Sequence, residues 1–370
     1  MERLTVLHIA YLDDDKAKGP NINVPKNVIY GNKYANVGLY NLRDSGLAVD
    51  IPGDSVFTAD KYDTIDSLPA PFNKPDVVVF HGVYFIQYCR ISKWLVRNKI
   101  PYIVVPRCSM TFAAIRSHAL KKKVANVLFF NKFIRNASRI QFLTMNEYIE
   151  SKKCFRFRDF FILGNGIEMP VNKYEVKKRD EFRIVFMGRY NIYHKGLDVL
   201  LDSVCNHKKW FIDNNVVVLL YGSDSDNGLA YLREKTVEEK LDDVVKICGP
   251  VFGKDKERAL LDADVFIHTS RLEGQPTAVI EAISYGIPVI VTPGTNVADV
   301  VEKNNLGFVA SLSSDGIYEA IRNAYTSFSD DKVGMISDAE IKFAKANFEW
   351  SIIVKDAMKD YLAASREKQC

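Results

Sequence analysis

The sequence has no close pair of cysteines. Its six cysteines stand apart, at Cys89, Cys108, Cys154, Cys205, Cys248 and Cys370. That spacing excludes a CxxC zinc or redox motif and a disulfide-stapled scaffold. Scattered thiols behind no secretion signal fit a reduced, cytoplasmic chain. The first apolar run, Leu4 to Leu12, is too short and too interrupted for a signal peptide. No stretch approaches about 18 consecutive apolar residues, so no membrane-spanning helix is expected. Net charge is also scarce, +4 from 50 Lys+Arg against 46 Asp+Glu. Bulk charge therefore does not argue for a nucleic-acid partner, and none is expected. No G-x-G-x-x-G follows the first strand-like run, and Gly164-Asn-Gly166 lacks the third glycine, so a nicotinamide dehydrogenase is poorly supported.

What is present is α/β alternation from end to end. At 370 residues the chain suits two domains. Apolar strand-like runs include LTVLHIA (4–10), ANVGLYNL (35–42), DVVVFH (76–81), PYIVVP (101–106), RIQFLT (139–144) and DFFILG (159–164). After residue 180 come FRIVFMG, NVVVLLYG, DVVKICG, DVFIHTS, IPVIVT and LGFVAS. Several are continuous β-branched runs, as in strands buried on both faces of a parallel sheet. Amphipathic helices lie between them, such as Leu197, Leu200, Leu201, Val204 at i, i+3, i+4, i+7. The pattern predicts two Rossmann-like, doubly wound parallel-sheet domains. The polar stretch Val171 to Asp180 marks the boundary, giving domains 1–172 and 173–347. A final helix over 348–370 carries Trp350, Ile353, Val354, Met358, Tyr361 and Leu362 on an apolar face.

Two segments carry chemistry. The first runs from Ser270 to Ala282, SRLEGQPTAVIEA, between a strand and a helix. Pro276 suits the first helical turn, where a missing N–H costs nothing. Gly274 allows a ligand close to the backbone. The free N–H groups of a helix start suit phosphate or sugar hydroxyls. Glu281 lies about 200° around the helix from Val279, opposite the apolar stripe, at ~100° per residue. Glu273 lies in the loop. Taken alone, both glutamates also read as solvated surface charges. The second segment, Gly188 to Gly196, places Arg189 and Lys195 on a glycine-bounded loop at a strand's C-terminal end. Open α/β sheets bind ligands there, and a diphosphate suits the pair of cations. An ordinary exposed loop fits the same residues equally well.

Together the two segments resemble the donor site of family 4 retaining glycosyltransferases of the GT-B fold, of the bacterial polysaccharide-biosynthesis type. The family's GR…KG loop matches Arg189 to Lys195, and its E-x7-E pair matches Glu273 to Glu281. DVVVFHGV (76–83), PRCSM (106–110), LGNGI (163–167) and GIPVIVTPGTNVADVV (286–301) extend the likeness. The resemblance implies a GT-B fold, with two such domains facing a cleft and the last helix crossing back to the first domain. It implies a nucleotide-diphosphate sugar as donor and a saccharide or lipid-linked saccharide as acceptor. Arg189 and Lys195, with Gly188 on their loop, would bind the diphosphate in place of a metal, so neither metal nor cofactor is expected. Glu273 and the backbone of Gly274, Gln275, Pro276 and Thr277 would hold the sugar. Glu281 would hold the ribose, and Pro250 and Val251 would lie beside the base. His81 would sit near the anomeric carbon. Gly19, Arg107 and Ser109 would lie on the acceptor side. The family often has an aromatic or Met at Gln275 and a glycine at Cys108, which touches the donor sugar and the acceptor loop respectively.

Asp13-Asp14-Asp15 and Asp224-Ser-Asp226 match the metal-binding Asp-x-Asp of other glycosyltransferases, but Asp-rich loops after strands are usually turns. Between Arg116 and Arg158 the chain is strongly basic. Lys121, Lys122, Lys123, Lys132, Arg135 and Arg139 fall in or beside a helix with Phe129, Phe130 and Phe133. Such a helix can lie on an anionic membrane, and it can equally be a solvated face over core phenylalanines. The expected protein is a cytoplasmic glycosyltransferase, with peripheral membrane contact through 116–158. The alternatives are another GT-B enzyme, a sugar-nucleotide epimerase or a phosphorylase, and a non-catalytic sugar-nucleotide-binding subunit. No pyridoxal lysine is identifiable for the phosphorylase.

Overall fold

The computed structural model describes residues 3–16, 18–116, 124–175, 179–329 and 333–367. Lys121, Lys122 and Lys123 lie outside the described residues. The chain forms two units, Met1–Gly166 with Trp350–Cys370, and Ile167–Glu349.

The first unit is a seven-stranded, wholly parallel sheet. Its strands are β1 (Thr5–Ala10), β2 (Asn36–Asn41), β3 (Val56–Thr58), β4 (Val77–His81), β5 (Tyr102–Val105), β6 (Arg139–Phe142) and β7 (Phe160–Ile162), in the order β3-β2-β1-β4-β5-β6-β7. Every residue of β1 and β4 is buried, as continuous apolar runs require of central parallel strands. The edge strand β3 was not expected from the sequence. Three residues, Val-Phe-Thr, after Asp54 and Ser55 give no apolar run to detect. The sheet reverses its winding between β1 and β4, with His8 in register with Val79.

The second unit is a six-stranded parallel sheet. Its strands are β8 (Phe182–Met187), β9 (Val216–Tyr221), β10 (Val245–Gly249), β11 (Val265–His268), β12 (Val289–Val291) and β13 (Gly307–Val309), in the order β10-β9-β8-β11-β12-β13. Here the winding reverses between β8 and β11. In both sheets an aspartate just ahead of the strand across the reversal fixes the start of its neighbour. Asp76 Oδ2 accepts from Thr5 N at 2.7 Å, and Asp264 Oδ2 from Arg183 N at 2.8 Å. Strand order reversal opens a crevice at the carboxyl ends, so β1/β4 and β8/β11 mark where ligands bind in such sheets.

The last helix, Trp350–Arg366, belongs to the first unit. Trp350, Ile353, Val354, Ala357, Tyr361 and Ala364 are buried at helical spacing, whereas Leu362, expected on that face, is exposed. Trp350 stacks on Tyr30 with ring centroids 5.7 Å apart. A Cβ at Gly166 would lie 2.5 Å from the Trp350 ring, so only glycine lets the chain pass there. In the basic segment, Phe130 and Phe133 are core residues, while Val124, Val127, Leu128 and Phe129 face solvent. Arg139 is not on that surface. It opens β6 and pairs with Asp159, Asp360 and Glu367.

Candidate functional site

In the second unit the loops after β8 and β11 lock together. Gly196 adopts φ +64, and a Cβ there would sit 2.1 Å from the Thr269 carbonyl oxygen. Thr269 Oγ1 donates to the carbonyls of Lys195 (3.0 Å) and Gly196 (3.2 Å). Arg271 grips both oxygens of Asp198 at 2.6 and 2.7 Å and donates to Tyr193 O at 2.9 Å. Thr292 Oγ1 holds Ser270 O at 2.8 Å.

This lock presents Glu273. Its Oε1 takes three donors: Lys195 Nζ in an ion pair, His268 Nε2 at 3.0 Å and Ser270 Oγ at 3.1 Å. Oε2 has no partner among the described residues. Burial alone would raise the Glu273 carboxyl. The His268 hydrogen bond and the Lys195 charge outweigh it and hold the group well below the usual carboxylate range. Burial and the Lys195 charge lower His268 against the pull of Glu273. A neutral His268 donating from Nε2 leaves Nδ1 as an acceptor, and that buried atom has no partner. Asn296, at φ +62, donates its side-chain amide to the carbonyls of Glu273 and Gly274.

The helix Thr277–Tyr285 starts directly after this loop. Pro276 is its N-cap, one position earlier than the first helical turn anticipated, and its carbonyl accepts from Val279 and Ile280. The amides of Thr277 and Ala278 therefore open the helix without intrahelical acceptors. Glu281 pairs with Lys256 of the helix Gly253–Leu261, which begins just past Pro250 and Val251. Tyr190 braces the neighbouring strand ends. Its hydroxyl donates to Leu220 O at 2.8 Å and accepts from Gly249 N at 3.2 Å. Gly188 borders Lys195, since a Cβ there would lie 3.5 Å from Lys195 Cε. Arg189 is exposed and forms no ion pair among the described residues. Asp224 Oδ1 caps Leu229 N, and Asp226 accepts from Asn191.

In the first unit β4 ends in His81. Arg107 Nη2 lies 3.2 Å from His81 Nδ1, and His81 Nε2 lies 2.8 Å from His8 Nδ1. A guanidinium can only donate, so His81 Nδ1 accepts and Nε2 carries the proton. His8 then accepts at Nδ1 and holds its proton on Nε2, which is buried without a partner. Burial and the Arg107 charge lower both histidines, His8 to about 3. Both ring nitrogens of His81 are thus committed inside the unit. Arg107 and Cys108 both adopt positive φ, +52 and +65. That left-handed backbone explains why glycine suits position 108. The buried Glu147 carboxylate anchors the loop, accepting from Cys108 N and from Leu143 N at 2.8 Å. Ser109 Oγ donates to Pro106 O at 2.5 Å. Gly19 opens the helix Gly19–Gly31, with Asn23 3.8 Å from its would-be Cβ. Asp13, ahead of that helix, is engaged by Lys18, Arg43 and Asn21.

The structure therefore unites Lys195 and Glu273 directly, joins Glu281 to the Pro250–Val251 end through Lys256, and leaves Arg189 outside the cluster. Sequence reasoning gave no individual role to His268, Ser270, Asn296 or His8. One signal was available: DVFIH (264–268) runs into a histidine, as DVVVFH (76–81) does.

Residues 181–327 match the family described as Glycosyl transferases group 1. The chain is 27% identical over 128 residues to one of the subunits of the Homo sapiens phosphatidylinositol N-acetylglucosaminyltransferase, over 35% of this chain and 25% of that protein. It is 26% identical over 194 residues to the amylovoran biosynthesis glycosyltransferase AmsD of Erwinia amylovora, over 50% of this chain and 52% of that one. The chain thus spans about a quarter to a half of the length of these curated relatives. Among solved structures, sucrose-phosphate synthase of Thermosynechococcus elongatus superposes with a TM-score of 0.76 at 13% identity, over 98% of this chain and 99% of that one. Anabaena HepE in complex with UDP and glucose superposes at 0.72 with 16% identity, over 96% and 99%. The fold is GT-B.

Proposed function

We propose that this chain is a retaining, metal-independent glycosyltransferase. It moves a sugar from a nucleotide-diphosphate sugar to a saccharide or lipid-linked saccharide, in the cytoplasm, during polysaccharide, capsule or glycan synthesis. The observation that carries this reading is Glu273. Three donors fasten one of its oxygens, and the other stands unpartnered beside a helix N-terminus. A carboxylate so held accepts from a sugar hydroxyl without reorganising. Lys195 and the unpaired Arg189 would receive the diphosphate as its charge grows, and Glu281 the ribose. The names of AmsD and of HepE, solved with UDP and glucose, support the same chemistry.

In the reaction the bond from the anomeric carbon to the β-phosphate oxygen breaks. The acceptor oxygen bonds that carbon on the same face, and its proton passes to the leaving phosphate. Glu273 and the Thr277 amide would fix the sugar. Arg189 and Lys195 would balance the departing charge. A thermal-shift screen across UDP-, GDP- and ADP-sugars tests the proposal. One donor should raise the melting temperature through linkage, and Glu273→Ala should lose transfer with that donor. A chain that no nucleotide sugar stabilises, or unchanged turnover in Glu273→Ala, refutes it.

A membrane contact through 116–158 belongs to the same proposal. Val124, Val127, Leu128 and Phe129 are 43–72% exposed, and Lys132 and Arg135 follow on the helix Asn131–Asn136. No helix among the described residues is long and apolar enough to cross a membrane. The chain should sediment with anionic vesicles at low salt and leave them at high salt. Remaining in the supernatant at low salt overturns the contact.

A further inference from the structure

Arg107 is a partly enclosed cation with no acid to balance it. Nη1 donates to Asn165 Oδ1 at 3.3 Å and Nη2 to His81 Nδ1 at 3.2 Å, both uncharged acceptors. Nε is buried with no partner. No carboxylate pairs with it among the described residues. The acid it feels most, Glu147, has its two oxygens committed to Cys108 N and Leu143 N. The other groups around it are neutral. His8 and His81 are kept neutral, and the Tyr88 and Tyr361 hydroxyls are turned to His81 O at 2.9 Å and Gln141 Oε1 at 3.1 Å. Burial lowers Arg107 to about 10, so it remains charged at neutral pH.

A charge held out of water without a partner destabilises a fold. Here the fold spends further effort on keeping the charge in place. Two consecutive non-glycine residues take left-handed backbone, Glu147 ties down the loop, and a two-histidine chain ending on β1 supports Nη2. Strain and unpaired charge at one strand end, beside the sheet's winding reversal, are the signature of a site completed by its ligand. The guanidinium fork matches a planar or tetrahedral oxyanion.

We infer that Arg107 is an oxyanion-binding residue of the substrate site, taking a phosphate or carboxylate. The inference rests on the proposed transfer reaction and adds a substrate class to it. Two sources share this chemistry: the donor's diphosphate and an acid group on the acceptor.

The test uses the full chain labelled with 15N-histidine. Inorganic phosphate and pyrophosphate are titrated while the ring signals of His8 and His81 are followed. The wild type should show a saturable shift. Arg107→Gln should lose it and Arg107→Lys should regain part of it. No saturable shift in the wild type, or the same shift in Arg107→Gln, overturns the inference, and the wild-type arm stands even if Arg107→Gln fails to fold. UDP and GDP then separate the sources. A loss of about tenfold or more in nucleotide affinity in Arg107→Gln assigns the oxyanion to the donor. Unchanged nucleotide affinity with an Arg107-dependent phosphate shift assigns it to the acceptor. If phosphate binds through Arg107 but no nucleotide or nucleotide sugar binds anywhere, the transferase reading falls and the oxyanion site survives. If nucleotide sugars bind and phosphate gives no Arg107-dependent shift, the reverse holds.

Discussion

His81 and His268 occupy the same place in two different sheets. Each ends the strand across the winding reversal, each is buried, and each is kept neutral. They differ in what they hold. His268 donates to a carboxylate that a lysine already pairs, so its unit presents an acid with one oxygen anchored and one open. His81 accepts from a guanidinium that no acid pairs, so its unit presents a cation. The same strand-end device is coupled to opposite charges in the two units.

The most severe way to break this contrast is Lys195→Met. Loss of the charge proposed to meet the leaving group should cost about 100-fold in turnover. It also leaves Glu273 charged and largely enclosed, a loss of about 3 kcal/mol in denaturant unfolding. Adding Glu273→Gln should restore stability without restoring turnover. The sign with pH follows from the depressed Glu273 carboxyl. Its contribution is complete above the unfolded carboxylate range and disappears only as pH falls through the lower folded value. Acid unfolding of Lys195→Met should therefore begin at higher pH than in the wild type.

Glu340 sharpens the rule that an unpartnered buried charge is a cost unless a ligand meets it. Both its oxygens are buried without partners, and burial raises its carboxyl well above normal. The folded state then binds a proton that the unfolded state releases. Stability should fall as pH rises from the unfolded carboxylate range toward the folded value. Glu340→Leu should flatten that slope and gain about 2 kcal/mol at pH 8, measured by urea unfolding at pH 5 and pH 8. In the first unit, His8→Phe keeps a ring against His81 but removes the acceptor for its Nε2 proton. A loss of about 1 kcal/mol is expected, with the phosphate response of Arg107 weakened. Arg271→Lys gives the smallest effect. The Asp198 pair is partly solvated, so less than about 1 kcal/mol should be lost.

Much of the fold was legible because central parallel strands are buried on both faces and read as unbroken apolar runs. β1, β4 and β8 are of this kind. The edges were harder: β3 is three residues long, and β10 alternates between buried and exposed positions. Residues 126–136 combined two surfaces that composition could not separate. Asn126, Phe130, Phe133 and Ile134 turn inward while Val127, Leu128 and Phe129 turn out. Lys195 and Glu273 are 78 residues apart, and the loops' glycines and charges pointed to both. His268 and His8 were hidden because a polar residue inside an apolar strand reads as core. Their meaning comes from partners that local spacing does not reveal.

The most direct test compares bare nucleotide with nucleotide sugar. Isothermal titration of the wild type and Glu273→Gln would use the stabilising donor and its corresponding nucleoside diphosphate. The proposal gives the open oxygen of Glu273 to the sugar. Both proteins should therefore bind the diphosphate alike, and only the wild type should gain affinity when the sugar is attached. An equal gain in Glu273→Gln, or no gain in the wild type, would contradict the account.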